Sequence, residues 1–139
     1  LLPGVIENLN GNVLFHGIQV KPGMPTMLSV VEDIPVLSLS GNPFAVAALF
    51  ELLVGGYLAD RAEEVYIQKK ETKVLRQTFV KTGKPKRIVK GKCDEEGVFL
   101  PQIQRNGQLK NGIGSNCLVV FPEGERTYLE GEKVQVIRI

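Results

Sequence analysis

Apolar and polar positions along this chain fall into two textures that meet near residue 62. In the first, apolar runs lead into Pro/Gly loops. Residues 1–9 read as the last turns of a helix or a ragged end, stopped by Asn10-Gly11-Asn12. Residues 13–20 are predicted as a buried strand ending in Lys21-Pro22-Gly23-Met24-Pro25. Residues 26–31 form a second extended run, and Glu32-Asp33 supplies a turn. Residues 34–39 form a third strand, with Pro35 near its start, where a missing N–H is tolerated. That strand ends in Ser40-Gly41-Asn42-Pro43. Asn42 suits an N-cap, and Pro43 suits the first helical position because its φ is already set. From Phe44 to Val54 the side chains are apolar on every face except at Glu51. A helix apolar all round is buried on most sides. Little in this chain could bury it, so another layer or a partner chain is expected. Gly55-Gly56 either ends this helix or allows close packing.

Beyond Arg61 the runs shorten. Residues 64–71, 75–81, 87–92, 98–103, 117–121 and 134–139 are β-prone. They are separated by turn signals at Thr82-Gly83-Lys84-Pro85, Asp94-Glu95-Glu96-Gly97, Asn106-Gly107 and Asn111-Gly112. Strands at such spacing predict a small all-β barrel or sandwich. The expected division is therefore an α/β part, residues 1–62, followed by an all-β part, residues 63–139. No internal repeat or low-complexity segment interrupts either.

The two Pro/Gly loops carry the chemistry. Placed at the ends of adjacent parallel strands, they would form the crevice where open α/β sheets hold ligands. The N–H groups of Gly41 and Asn42 would face an anion there, because a helix start leaves its first donors unpaired. Lys21 is a cation at a strand end, held by a stiff Pro-Gly loop. It reads either as an anion-binding group or as a lysine snorkelling from the strand. Gly23 and Gly41 either allow close backbone approach or serve only as turn formers. Asn42 can contact a ligand, cap the helix, or do both.

Composition narrows the picture modestly. A chain of 139 residues with 43% hydrophobic and 23% charged positions has ordinary soluble-domain character. Its net charge of +2 selects no partner. Basic residues cluster at Lys81-Thr82-Gly83-Lys84-Pro85-Lys86-Arg87, Lys90 and Lys92. This stretch reads as a solvated hairpin turn in preference to an anionic contact surface, since no aromatic residues interleave for base stacking. A nucleic-acid-binding barrel is the weakest reading. Cys93 and Cys117 form no C-x-x-C pair and no signal peptide precedes them, so neither zinc nor a disulfide is indicated. A reducing, cytoplasmic setting follows. The longest apolar run contains Glu51 and is Ala/Gly-rich, which argues against a membrane span. His16 reads as a strand histidine satisfied by neighbours. Glu32-Asp33 and Asp94-Glu95-Glu96 are turn-sited carboxylates, and no metal ligand is assigned.

The chain resembles the molybdopterin molybdenumtransferase family, the MoeA proteins and the E domain of gephyrin. Residues 15–26, Phe-His-Gly-Ile-Gln-Val-Lys-Pro-Gly-Met-Pro-Thr, are similar to that family's strand and K-P-G-x-P loop. Residues 39–46, Leu-Ser-Gly-Asn-Pro-Phe-Ala-Val, are similar to its L-P-G-N-P segment. Residues 115–124 and 129–136 resemble its closing β domain. The family is longer, and its G-G-x-S-x-G-x-x-D motif belongs before Leu1, so the chain reads as a C-terminal piece. The resemblance implies the tail of a MogA-like three-layer α/β domain followed by a β-barrel-like domain. It also implies insertion of molybdate into adenylyl-molybdopterin, giving molybdenum cofactor and AMP with Mg2+ assisting, by a homodimer. The substrate-binding positions it implies are Lys21, Pro22, Gly23, Ser40, Gly41, Asn42 and Pro43; the metal-binding acids would lie upstream. A non-catalytic molybdopterin-binding or scaffold module is the alternative. The chain departs from the family at Met24, where a second lysine is common, at Ser40, where proline is, and at Asn106, in a Gln104-Arg105-Asn106 stretch where a serine is expected.

Overall fold

The computed structural model describes residues 2–62, 68–101 and 114–139. Strands dominate and helices are the minority. After helix α1 (Leu2–Asn8), strands β1 (Asn12–His16), β3 (Met27–Val31) and β4 (Ile34–Ser38) form a three-stranded sheet in the order β1-β3-β4. Both pairings are antiparallel. The expected buried strand over residues 13–20 is therefore corrected. It breaks at Gly17, whose φ of +96° only glycine adopts readily, and β1 is mostly exposed. Between the break and β3, Gly17 N donates to Thr26 O (2.8 Å) and Ile18 N to Met24 O (2.9 Å).

The short strand β2 (Val20–Lys21) leaves this sheet and pairs in parallel with β7 (Lys86–Cys93). It thereby joins a six-stranded sheet ordered β2-β7-β9-β11-β5, with β8 (Val98–Phe99) hung on β7. The other members are β5 (Lys70–Val74), β9 (Cys117–Phe121) and β11 (Lys133–Arg138). A separate ribbon pairs β6 (Phe79–Lys81) with β10 (Arg126–Tyr128). Strand β10 escapes sequence reading because Arg-Thr-Tyr shows no apolar alternation. The predicted turns at Asn106-Gly107 and Asn111-Gly112, and Gln104-Arg105-Asn106, lie outside the described residues, as do residues 64–67 and 102–103 of the predicted strands.

Strand β9, Cys-Leu-Val-Val-Phe, is apolar at every position because both faces of the sheet are covered there. On one face Cys117, Val119 and Phe121 join Val89, Val136, Leu75, Val98, Leu100 and Tyr128. Phe121 stacks on Phe79 with ring centroids 4.5 Å apart and meets Tyr128 at 4.7 Å. On the other face Leu118, Ile88 and Ile137 meet Ala48, with Phe44, Leu52, Val20 and Val120 packed around them.

That second face answers what covers the apolar helix. Helix α2 (Pro43–Leu49) continues through a π-helical segment (Phe50–Val54) into α3 (Gly55–Arg61). Gly55 is right-handed helical (φ −53°, ψ −48°), so the glycines do not end the helix. The covering layer comes from the C-terminal strands of the same chain, which corrects the expectation that the helix lacked one. Val46, Phe50, Leu53 and Tyr57 remain exposed.

Cys93 and Cys117 are buried free thiols. The Asn116 side chain brackets Cys93, accepting from its N–H and donating to its carbonyl, both at 2.8 Å. Burial, with the neighbouring Cys93 next in effect, pushes the Cys117 thiol up to about 12. A proton held more tightly by the fold than by the unfolded chain stabilises the fold fully below the ordinary thiol value. That contribution is lost as pH rises from 9.0 to about 12. Urea unfolding across that range is expected to show falling stability, with a shallower fall in Cys117→Ala. Equal slopes for the two proteins would contradict this assignment.

Candidate functional site

Strands β1 and β4 flank β3 and run opposite to it, so their C-terminal ends share one end of the sheet. Met27 marks that end, pairing with His16 on one side and Ser38 on the other. The loop of residues 21–25 enters β3 there, and the loop of residues 40–43 leaves β4 there. The two corners thus lie at one end of a sheet. The strands that precede them are not adjacent parallel neighbours, however: β3 separates β1 from β4, and the parallel partner of β2 is β7.

The first corner is tightly held. Its Lys21–Pro22 peptide is cis. Gly23 accepts at its carbonyl from Thr26 Oγ1 (2.7 Å) and Thr26 N (3.1 Å). Gly23 has φ +117°, and a Cβ there would lie 2.4 Å from Leu49 Cδ1. Only glycine lets this loop rest on helix α2. Gly41, by contrast, is exposed, and a Cβ there would meet nothing within 4 Å.

The second corner is a helix cap. Asn42 Oδ1 accepts from Phe44 N (2.9 Å) and Ala45 N (3.3 Å), while Asn42 N donates to Ser40 Oγ (3.4 Å). Pro43 has no N–H to offer. Of the two N–H groups expected to face an anion, those of Gly41 and Asn42, the Asn42 group is engaged by Ser40 Oγ, and the next donors along, Phe44 N and Ala45 N, are taken by the Asn42 side chain. The physical reason is the Asx side chain, which fills its own cap before any ligand can.

The cations tell a different story from the sequence cluster. Lys21 is the register partner of Arg87 across the parallel β2–β7 pair. Register partners in parallel strands project to one face, so the ammonium-bearing and guanidinium-bearing side chains stand side by side. Among the described residues neither has a carboxylate or other hydrogen-bonding partner. Arg87 also lines a cleft of about 590 Å3 with Gln77, Thr78, Phe79, Val80 and Phe99. Chemically, two adjacent cations beside a half-apolar cleft can hold an oxyanion attached to a flat or apolar body. Sequence reading left Arg87 inside a basic run; the signal it missed was an arginine at a strand start immediately before buried Ile88 and Val89. The rest of that run disperses. Lys81 is buried, and Lys90 lies 4.8 Å from the Phe44 ring centroid. Among the described residues no three His, Cys, Asp or Glu side chains converge as a metal site. No helix of the described residues is long and apolar enough to cross a membrane.

Two adjacent cations in a mostly-strand chain suit an oxyanion, and comparison with known proteins shows what the chain is similar to. No protein-family model matches the chain. A Bacillus subtilis protein named molybdopterin molybdenumtransferase is 29% identical over 99% of this chain and 33% of its own length. A Methanocaldococcus jannaschii protein whose name assigns it to molybdopterin biosynthesis is 32% identical over 91% of this chain and 30% of its own length. Among solved structures, a MoeA molybdopterin biosynthesis protein from Pyrococcus horikoshii superposes with a TM-score of 0.84 at 29% identity, over 99% of this chain and 34% of that one. The chain is thus similar along nearly its whole length to proteins named molybdopterin molybdenumtransferase and MoeA, and it spans about a third of the length of these relatives.

Replacing the cap tests what Asn42 does. Asn42→Ala is expected to cost about 1 kcal/mol of stability, whereas Asn42→Asp, whose carboxylate also caps, should stay near the unsubstituted protein. Thermal unfolding of both variants checks this, and equal losses in the two would mean that capping is not the residue's contribution.

Proposed function

We propose that this chain supplies part of the active site of a molybdenum cofactor biosynthesis enzyme. The whole protein inserts molybdate into adenylyl-molybdopterin, yielding molybdenum cofactor and AMP. In this reading residues 1–62 are the C-terminal part of a MogA-like α/β domain and residues 63–139 a β-barrel-like domain, within a cytoplasmic homodimer. The observation that carries the proposal is the adjacency of Lys21 and Arg87 at the β2 edge of the six-stranded sheet, neither paired among the described residues.

Their positive charges hold phosphate or molybdate oxygens and offset the charge that builds as an oxyanion is transferred. Neither residue needs to move a proton. Pro22 and Gly23 stiffen the lysine's corner, the first by its ring and the second by its contact with Leu49. Ser40, Gly41, Asn42 and Pro43 border the same end of the sheet. There Ser40 offers a hydroxyl and Gly41 an uncrowded backbone, while Asn42 and Pro43 fix the turn. Mg2+, when bound in the whole enzyme, would supply Lewis-acid neutralisation of substrate oxygens. Among the described residues no three His, Cys, Asp or Glu side chains converge on a metal site, and the resemblance puts the metal-binding acids upstream.

A second reading, a non-catalytic molybdopterin-binding or scaffold module, draws support from Met24, which is exposed where a second cation is common in the family. The two readings separate in the full-length protein. Isothermal titration with molybdate, together with turnover, is expected to show Lys21→Ala and Arg87→Gln each weakening affinity about tenfold or more, with the unfolding midpoint little changed. Binding without turnover favours the scaffold; unchanged affinity in both variants rejects the cation site.

A further inference from the structure

Lys81 is the one cation of the basic run that the protein takes out of water, with 2% of its surface exposed. Burying an ammonium is costly unless acceptors surround it. Lys81 Nζ donates to Gly83 O (2.8 Å) and to Gly124 O. Both acceptors sit on glycines with positive φ, +83° at Gly83 and +97° at Gly124. These left-handed turns aim their carbonyls at one point between them. The two turns are also tied directly: Gly124 N donates to Lys84 O (2.8 Å), and Gly83 N donates to Glu125 Oε1 (2.9 Å). The result is a knot joining the turn after β6 to the turn after β9, with an ammonium at its centre.

The position of that knot gives it a task. Strand β6, which ends in Lys81, supplies Phe79 and Val80 to the cleft. Strand β7, which starts after the knotted turn, supplies Arg87. Residues 82–85 are thus the whole connection between one cleft wall and its guanidinium. Strand β9, leading into the other turn, carries Phe121 against Phe79. Were the turn free, Arg87 and its neighbour Lys21 would shift relative to Phe79 and Val80.

We infer that Lys81 is a positioning residue for the oxyanion site: its buried ammonium fixes the 82–85 turn and so sets where Arg87 stands beside Lys21. The inference rests on the reading of Lys21 and Arg87 as the oxyanion-holding pair, and it adds a residue that touches no substrate. Lys81 acts through geometry; its own charge is spent on two carbonyls.

The test is a double-mutant cycle in the full-length protein, read by molybdate titration calorimetry. Lys81→Met keeps an unbranched apolar stem of similar bulk and removes the charge. It is expected to weaken molybdate binding about tenfold, the size typical of lost outer-layer support. Lys81→Gln retains N–H donors and is expected to restore part of that loss; it also serves should the methionine variant fold poorly. In the Arg87→Gln background neither Lys81 substitution should weaken binding further, whereas a general loss of structure would add its effect in both backgrounds. Additive losses, or full affinity in Lys81→Met, overturn the positioning role and leave the oxyanion site standing. Full affinity in Arg87→Gln, or no molybdate binding by the unsubstituted protein, overturns the site and this inference together.

Discussion

Everything in this molecule depends on strand β9 being buried from both sides. Cys117, Val119 and Phe121 close the core beneath the cleft, while Leu118 and Val120 face helix α2. Each fully buried side chain of this kind contributes roughly 1.5–3 kcal/mol, and here the contributions join two layers through the thickness of one sheet. Helix α2 carries the cap at Asn42 and receives Gly23 against Leu49. Both corner loops are therefore fixed to the same sheet whose other face holds Phe79 and Arg87. Remove the two-sided packing and the lysine corner loses its fixed relation to the cleft.

Against that apolar frame the charges sort cleanly. Arg76 pairs with Asp94 and Glu96, Arg126 with Glu132, and Arg138 with Glu71. The Arg138 guanidinium holds the Glu71 carboxyl below the usual carboxylate range. Among the described residues, Lys21 and Arg87 have no carboxylate partner, as is also true of Lys84, Lys86, Lys92 and Lys133; what sets them apart is that they are register neighbours across the β2–β7 pair. Like charges repel, weakly in water and more strongly beside apolar walls. A bound oxyanion reverses the sign of that energy. This is the physical basis of the oxyanion site proposed at the β2–β7 pair, with Lys81, satisfied by carbonyls, as its proposed support.

Much of the local structure was legible. Asn42-Pro43 announces a helix start, the hairpin of β3 and β4 follows the apolar runs on either side of Glu32-Asp33, and Cys117 to Phe121 reads as a strand without ambiguity. The K-P-G and G-N-P corners stand out because glycine and proline restrict the backbone wherever they occur. What failed were readings that needed a partner. A continuous strand over residues 13–20 ignored the left-handed turn that Gly17 permits. Asn42 caps the helix as its residue type suggests, but its own N–H, expected to face an anion, donates to Ser40 Oγ instead.

The sequence by itself determined the element types, the two corners and the family likeness, because periodicity, caps and backbone restriction are local properties that neighbouring residues carry. Only tertiary structure decided that β2 pairs with β7, that helix α2 is covered by strands β7, β9 and β11, and that one lysine of a basic run is buried while Arg87 later in that run comes into register beside Lys21. Those outcomes turn on register and on which distant face arrives opposite a side chain. Charge and hydropathy along the chain record neither.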